Sequence, residues 1–162
     1  MTPETKGILQ ALREARRLLL ITVLDATDAQ LTERSTVSGL TLGGILNHLT
    51  RAELVWTHIL TGAPGTPDGM WDTGQYQAPA GATATALRKA YEQAAGATDE
   101  AAVRTAPDQE VPLPETPWEP GVVRHWPVRR VLLHLLQETA QHTGHADIVR
   151  EAIDGANSTA RR

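Results

Sequence analysis

At 162 residues the chain is long enough for one compact domain and short for two. Its 41% hydrophobic and 21% charged residues exclude a disordered tail, and 15 Lys plus Arg against 19 Asp plus Glu exclude the basic footprint of nonspecific nucleic-acid binding. Cysteine is absent, which rules out disulfides, thiolate ligands and a cysteine nucleophile, so any metal must be held by His and carboxylate.

Phenylalanine is missing and aromatic residues total 4%, so the core must be built from Leu, Val, Ile and Ala. Such a core favours helices over a sheet. A first helix is expected over about residues 3–26, with Thr2 as N-cap and Pro3 at the first helical position, where its missing N–H costs nothing. Ile8, Leu12, Ala15, Leu19 and Val23 form its apolar stripe. The apolar run at residues 18–24 is far shorter than the roughly twenty residues of a membrane helix. The opening residues also lack the basic start and apolar stretch of a secretory signal. A cytoplasmic protein without membrane contact is expected.

The second helix should begin after Thr41, carry Ile45, Leu49, Ala52, Trp56 and Ile59 inward, and stop at Gly62 and Pro64. Residues 63–82 hold three Pro and four Gly and are expected as a long loop bearing Trp71 and Tyr76. A third, Ala-rich helix is expected over about residues 83–103, with Leu87, Tyr91, Ala94 and Ala102 inward. Residues 106–127 are rich in proline and carry Trp118 and Trp126; they predict an irregular connection or a short hairpin. The fourth helix should run from Pro127 to about Ile153 and end at Asp154-Gly155. The expected organisation is therefore all-α: one four-helix domain over residues 1–155 and a flexible tail over 156–162. Functional sites in such bundles are usually built from inward side chains of facing helices.

Three of the six histidines share the fourth helix with a carboxylate: His134, Glu138, His142 and His145. At about 100° per residue, Glu138, His142 and His145 fall within about 60° of one another, on the same arc as Val131, Leu135 and Val149. A buried carboxylate there needs a cation or donors close by. His48 lies on the inner face of the second helix, three residues after Ile45. A carboxylate and an imidazole at i and i+4, with a third imidazole from another helix, match the three protein ligands of catalytic zinc sites. The competing reading is ordinary: an inward histidine is more often a core residue bonded to a carbonyl, and Glu with His four residues later also occurs on exposed helices. The coincidence of three inward groups in one small domain favours the metal.

Other chemistries are poorly represented. None of the three serines sits in a Gly-x-Ser-x-Gly elbow, and no phosphate-binding glycine loop is present. Gly43-Gly44 is read as permitting close helix packing. Arg16-Arg17 and Arg129-Arg130 are read as solvated or paired with acids. Trp56 is assigned to the core stripe and, with Trp71 and Trp126, to the wall of a pocket.

The string Leu42-Gly43-Gly44-Ile45-Leu46-Asn47-His48-Leu49, continuing to Glu53 and Trp56, resembles the second helix of the DinB-like superfamily. That group includes the mycothiol-dependent maleylpyruvate isomerases and related thiol transferases. The string Val131-Leu132-Leu133-His134-Leu135-Leu136-Gln137-Glu138-Thr139-Ala140-Gln141-His142-Thr143-Gly144-His145-Ala146-Asp147, followed by Arg150-Glu151 and Asp154-Gly155, resembles its last helix. The resemblance implies a single-domain DinB-like bundle holding a divalent metal, zinc foremost and nickel second, through His48, Glu138 and His142. Glu138 stands where many members carry a histidine, as in the isomerase. His145 and His134 are implied as catalytic groups or supports beside the ligands. The implied activity is a thiol-dependent S-transfer or isomerisation using mycothiol or bacillithiol, with a small-molecule electrophile as the other partner. The alternatives are a metal-dependent hydrolase and a non-enzymatic, stress-related dimeric ligand-binding protein. A homodimer is expected, because Leu20 and Leu24 lie one face round from Leu12, Leu19 and Val23 and one monomer cannot easily cover them all.

Overall fold

The computed structural model describes residues 1–160. Its elements are α1 (Pro3–Thr22), α2 (Asp28–Thr32), α3 (Leu42–Leu60), α4 (Ala84–Arg104), strands β1 (Glu110–Pro112) and β2 (His125–Pro127), and α5 (Val128–Asp154). The protein is all-α in class, and the four expected helices are α1, α3, α4 and α5. Threonines cap three of them: the hydroxyls of Thr2, Thr41 and Thr83 accept from the amides of Thr5, Gly44 and Ala86. Gly155 ends α5 in the left-handed conformation at φ 77°.

Two boundaries differ from expectation. α1 stops at Thr22 rather than near residue 26, because Thr22 Oγ1 donates back to the Leu19 carbonyl and Asp25 turns the chain at φ 60°. Arg150 on α5 then donates to the Thr22 and Leu24 carbonyls at 3.1 and 3.0 Å, supplying partners at the helix end. The short α2 was not anticipated; Thr27 and Gln30 close a capping box at its start. Residues 106–127 do contain a hairpin, with Val111 opposite Trp126 in the antiparallel pair. In the segment expected to fray, Ser158 is buried, and its amide and hydroxyl both donate to the Asp147 carboxylate at 2.7 Å. The end of that expected tail, residues 161 and 162, lies outside the described residues.

α1 packs against α5, α3 against α4, and α3 also against α5. The buried apolar residues fall into two clusters. One gathers Leu9, Leu12, Trp56, Ile59, Ala102, Val131 and Leu135; the other gathers Leu19, Ile45, Leu49, Leu87, Tyr91, Ala146 and Val149. Each long helix passes from one cluster to the other through polar residues: Arg16, Thr50 and Glu53, Thr98, then Thr139, His142 and Thr143. Arg16 is buried, not solvated. Its guanidinium clasps Glu53 through two bonds of 2.7 and 2.8 Å and reaches Asp99 at 2.7 Å, tying α1 to α3 and α4. Thr98 Oγ1 donates to the same Glu53 carboxylate. Arg17 pairs with Glu14 and Arg129 with Glu4, while Arg130 lies 4.1 Å over the Trp126 ring. No helix among the described residues is long and apolar enough to cross a membrane.

Candidate metal centre

α3 and α5 bring His48, Glu138 and His142 together. Glu138 Oε2 lies 3.6 Å from His48 Nε2 and 3.7 Å from His142 Nε2, and one donor atom from each residue falls within 4.8 Å of the others. Both imidazoles are buried, while the Glu138 side chain keeps 23% of its exposure. Tetrahedral ligands about 2.0–2.2 Å from zinc stand about 3.4 Å apart, so the two Glu138–imidazole separations need little closing.

The imidazoles are oriented from behind. The Gln75 side-chain oxygen accepts from His48 Nδ1–H at 3.0 Å, which leaves Nε2 as the bare nitrogen turned toward Glu138. That Nε2 is buried and has no hydrogen-bond partner among the described residues. A buried ring nitrogen without a partner beside a carboxylate is unsatisfied until a proton or a metal ion lies between them. His142 Nδ1 meets His145 Nδ1 at 3.3 Å, a contact that needs one proton and so fixes His142 by its far nitrogen. Burial, and then the neighbouring His48, push the His142 imidazole down to about 4, so it is neutral near pH 7 with a lone pair to offer. Two imidazole nitrogens and one carboxylate make a donor set of the zinc type.

Gln75 and Tyr76 come from the loop at 63–82, and sequence periodicity gave no sign of them. The loop forms a 3₁₀ turn at Thr73–Tyr76, begun by Asp72 Oδ1 accepting from the Gly74 amide. Asn47 Nδ2 donates to the Gln75 and Gln77 carbonyls at 2.9 and 3.0 Å, and Arg51 pairs with Asp72 at 2.8 Å. Gly44 makes the close approach possible, since a Cβ there would collide with the Tyr76 carbonyl oxygen. So docked, the Tyr76 ring stacks on His48 at 4.3 Å between centroids. Burial raises the Tyr76 phenol above its usual range, and the Glu138 charge adds to this.

The remaining histidines separate clearly. His145 backs His142. His134, one turn before Glu138, stands edge-on to Trp56 at 5.1 Å and to Trp126 at 5.6 Å, its proton affinity lowered mainly by burial. His58 meets the Gly65 carbonyl and His125 is exposed on β2, both away from the donor set. Trp56, Trp71 and Trp126 line one cavity, as expected, and Trp118 joins them.

No curated protein matches the chain. A family model described as mycothiol-S-transferase matches residues 7–155, which is nearly the whole sequence and includes every residue of the donor set. With inward His48 on α3 and Glu138 and His142 one turn apart on α5, the chain belongs to the mycothiol-S-transferase family, a DinB-like family.

Proposed function

We propose that the protein is a metal-dependent S-transferase that joins a low-molecular-weight thiol, mycothiol in preference to bacillithiol, to a small electrophile. The observation that carries this reading is the buried, unpartnered His48 Nε2 facing Glu138 and His142. The four long helices act in this reading as a DinB-like bundle whose middle holds the ion. Zinc suits the donor set best, with nickel second. The chemistry a divalent metal would supply when held there is a lowered pKa for a coordinating thiol, which would make it a thiolate at neutral pH. His48 and His142 would hold the ion through imidazole nitrogens and Glu138 through its carboxylate. Gln75 and His145 hold the two rings in register, and the Tyr76 ring covers His48 from the loop side. The thiolate sulfur forms a bond to the electrophilic carbon, the leaving group departs with its electron pair, and the proton lost from the thiol passes to solvent.

The reaction takes place in the cytoplasm in this reading. Protein purified without a chelating tag should carry about one divalent metal per chain and should consume mycothiol in the presence of an electrophile such as 1-chloro-2,4-dinitrobenzene. His142→Ala should remove both metal and turnover while leaving the far-ultraviolet spectrum intact. Metal-loaded protein that hydrolyses esters without any thiol would instead establish the hydrolase.

The assembly we propose is a homodimer formed through α1. Leu20 on α1 is half-buried, and Leu24, just past the end of that helix, remains 39% exposed. Light scattering at micromolar concentration should give twice the 17.5 kDa chain mass, and a monomer mass would overturn this.

A further inference from the structure

All four tryptophans of the chain line a single cavity of about 230 Å³, together with Met70, Leu113 and Val122. In a sequence without phenylalanine this concentration is not explained by core filling. The buried core is mainly Leu, Val, Ala and Ile, and Trp71 and Trp118 keep 38% and 68% of their exposure. The indoles instead make an aromatic frame: Trp56 stacks on Trp126 at 5.4 Å and 11°, and Trp71 stands edge-on to Trp118 at 5.0 Å. Such a frame offers ring faces and edges to another ring.

The lining also says what the ligand is not. Its two charged residues, Arg124 and Glu119, are paired with each other at 2.7 Å. That exposed pair leaves no uncompensated charge in the lining, so a charged molecule would have to break it to gain a counter-ion, whereas a neutral one would not. One polar atom is left over: the Thr116 hydroxyl is buried and without a hydrogen-bond partner among the described residues. A buried donor left unmade is unfavourable, and an oxygen acceptor on a ligand would satisfy it. The volume exceeds the roughly 150 Å³ that accommodates benzene, so one substituted ring or two fused rings fit.

His134 links the cavity wall to the helix that carries Glu138 and His142. It touches both stacked tryptophans, feels the Glu138 charge and precedes it by one turn, about 6 Å along α5. Resting on the thiol-transfer reading, the geometry points to the tryptophan cavity as the site of the electrophile, a neutral, planar aromatic molecule carrying an oxygen acceptor.

The test uses 4-nitroanisole, a neutral ring inert to thiols, as probe and the protein's own tryptophan fluorescence as readout. Saturable quenching is expected, with 4-nitrobenzoate binding at least tenfold more weakly. Trp118→Ala, at a residue exposed in the free protein, should raise the dissociation constant about tenfold. Thr116→Val should weaken 4-nitroanisole but not p-xylene. In turnover, Trp118→Ala should raise KM for 1-chloro-2,4-dinitrobenzene and leave KM for iodoacetamide unchanged. Non-saturable quenching, equal affinity for the benzoate, or an unchanged constant in Trp118→Ala overturns the assignment. The two readings fail separately. Saturable quenching in metal-loaded protein that transfers no thiol to any electrophile would remove the transferase reading and leave an aromatic site. Transfer to iodoacetamide without 4-nitroanisole binding would remove the aromatic site alone.

Discussion

One hydrogen bond sets the tautomer of His48. With the Gln75 oxygen on Nδ1–H at 3.0 Å, the imidazole presents a bare Nε2 to the centre at no further reorganisation. Without it, the ring is free to carry its proton on either nitrogen and to rotate away from Glu138. Gln75→Ala should therefore weaken zinc binding about 10–100-fold, measured by competition with a chelator, while the melting temperature of metal-free protein stays within a few degrees. An unchanged affinity would mean that packing against Tyr76 alone orients the ring. His48, Glu138 and His142 were legible in the sequence because helical periodicity carries side-chain direction, and inward polar groups stand out against an apolar stripe. Gln75 and Tyr76 were not, because a loop has no period and their meeting with His48 spans 27 residues. Arg16 shows the intermediate case. It sits four residues after Leu12 and three before Leu19, squarely on the stripe, yet its burial depends on Glu53 and Asp99 arriving from two other helices.

The first turn of α3 is shaped by what packs on it. Gly43 and Gly44 carry no side chain where the Leu31 and Tyr76 carbonyls press against the helix; a Cβ on Gly43 would lie 2.9 Å from the Leu31 oxygen. Reading these glycines as a close-packing device was sound, but the sequence did not say that the partners are α2 and the 63–82 loop instead of another long helix. Gly44→Ala should therefore act at a distance. Pushing the 3₁₀ turn outward would draw Gln75 and Tyr76 off His48, so zinc affinity should fall by an amount similar to Gln75→Ala although no ligand is altered. Serine should do the same, and a variant at Gly7, where nothing lies within 4 Å of an added Cβ, should leave affinity unchanged. α2 went unseen because five residues are too few for periodicity, although Thr27 and Gln30 already spelled its capping box. The early end of α1 was hidden for a different reason: the carbonyls it frees are satisfied by Arg150, 126 and 128 residues away.

Across the whole molecule, the four long helices were readable from their stripes, whereas which helix packs on which is a property of the assembled core. The two apolar clusters are separated by a polar layer in which Arg16, Glu53 and Asp99 compensate one another on one side. On the other side Glu138 has only the two imidazoles as ion-pair partners among the described residues, and the three come from α3 and α5, which meet there. A cation at that point does two things at once. It satisfies the carboxylate and the bare His48 nitrogen, and it links two helices that the unfolded chain holds far apart, so it binds the folded state in preference to the unfolded one. By linkage, free zinc at a hundred times the dissociation constant stabilises by about 2.7 kcal/mol. At about 2–4 °C per kcal/mol for a domain of this size, the metal-loaded protein should melt about 5–10 °C above the chelated one. Scanning calorimetry in a zinc buffer and in a chelator measures this directly, with His142→Ala as the control that should show no difference. Equal melting temperatures for loaded and stripped wild-type protein would mean that the polar layer is satisfied without a metal, and that the three residues form a hydrogen-bonded core cluster instead.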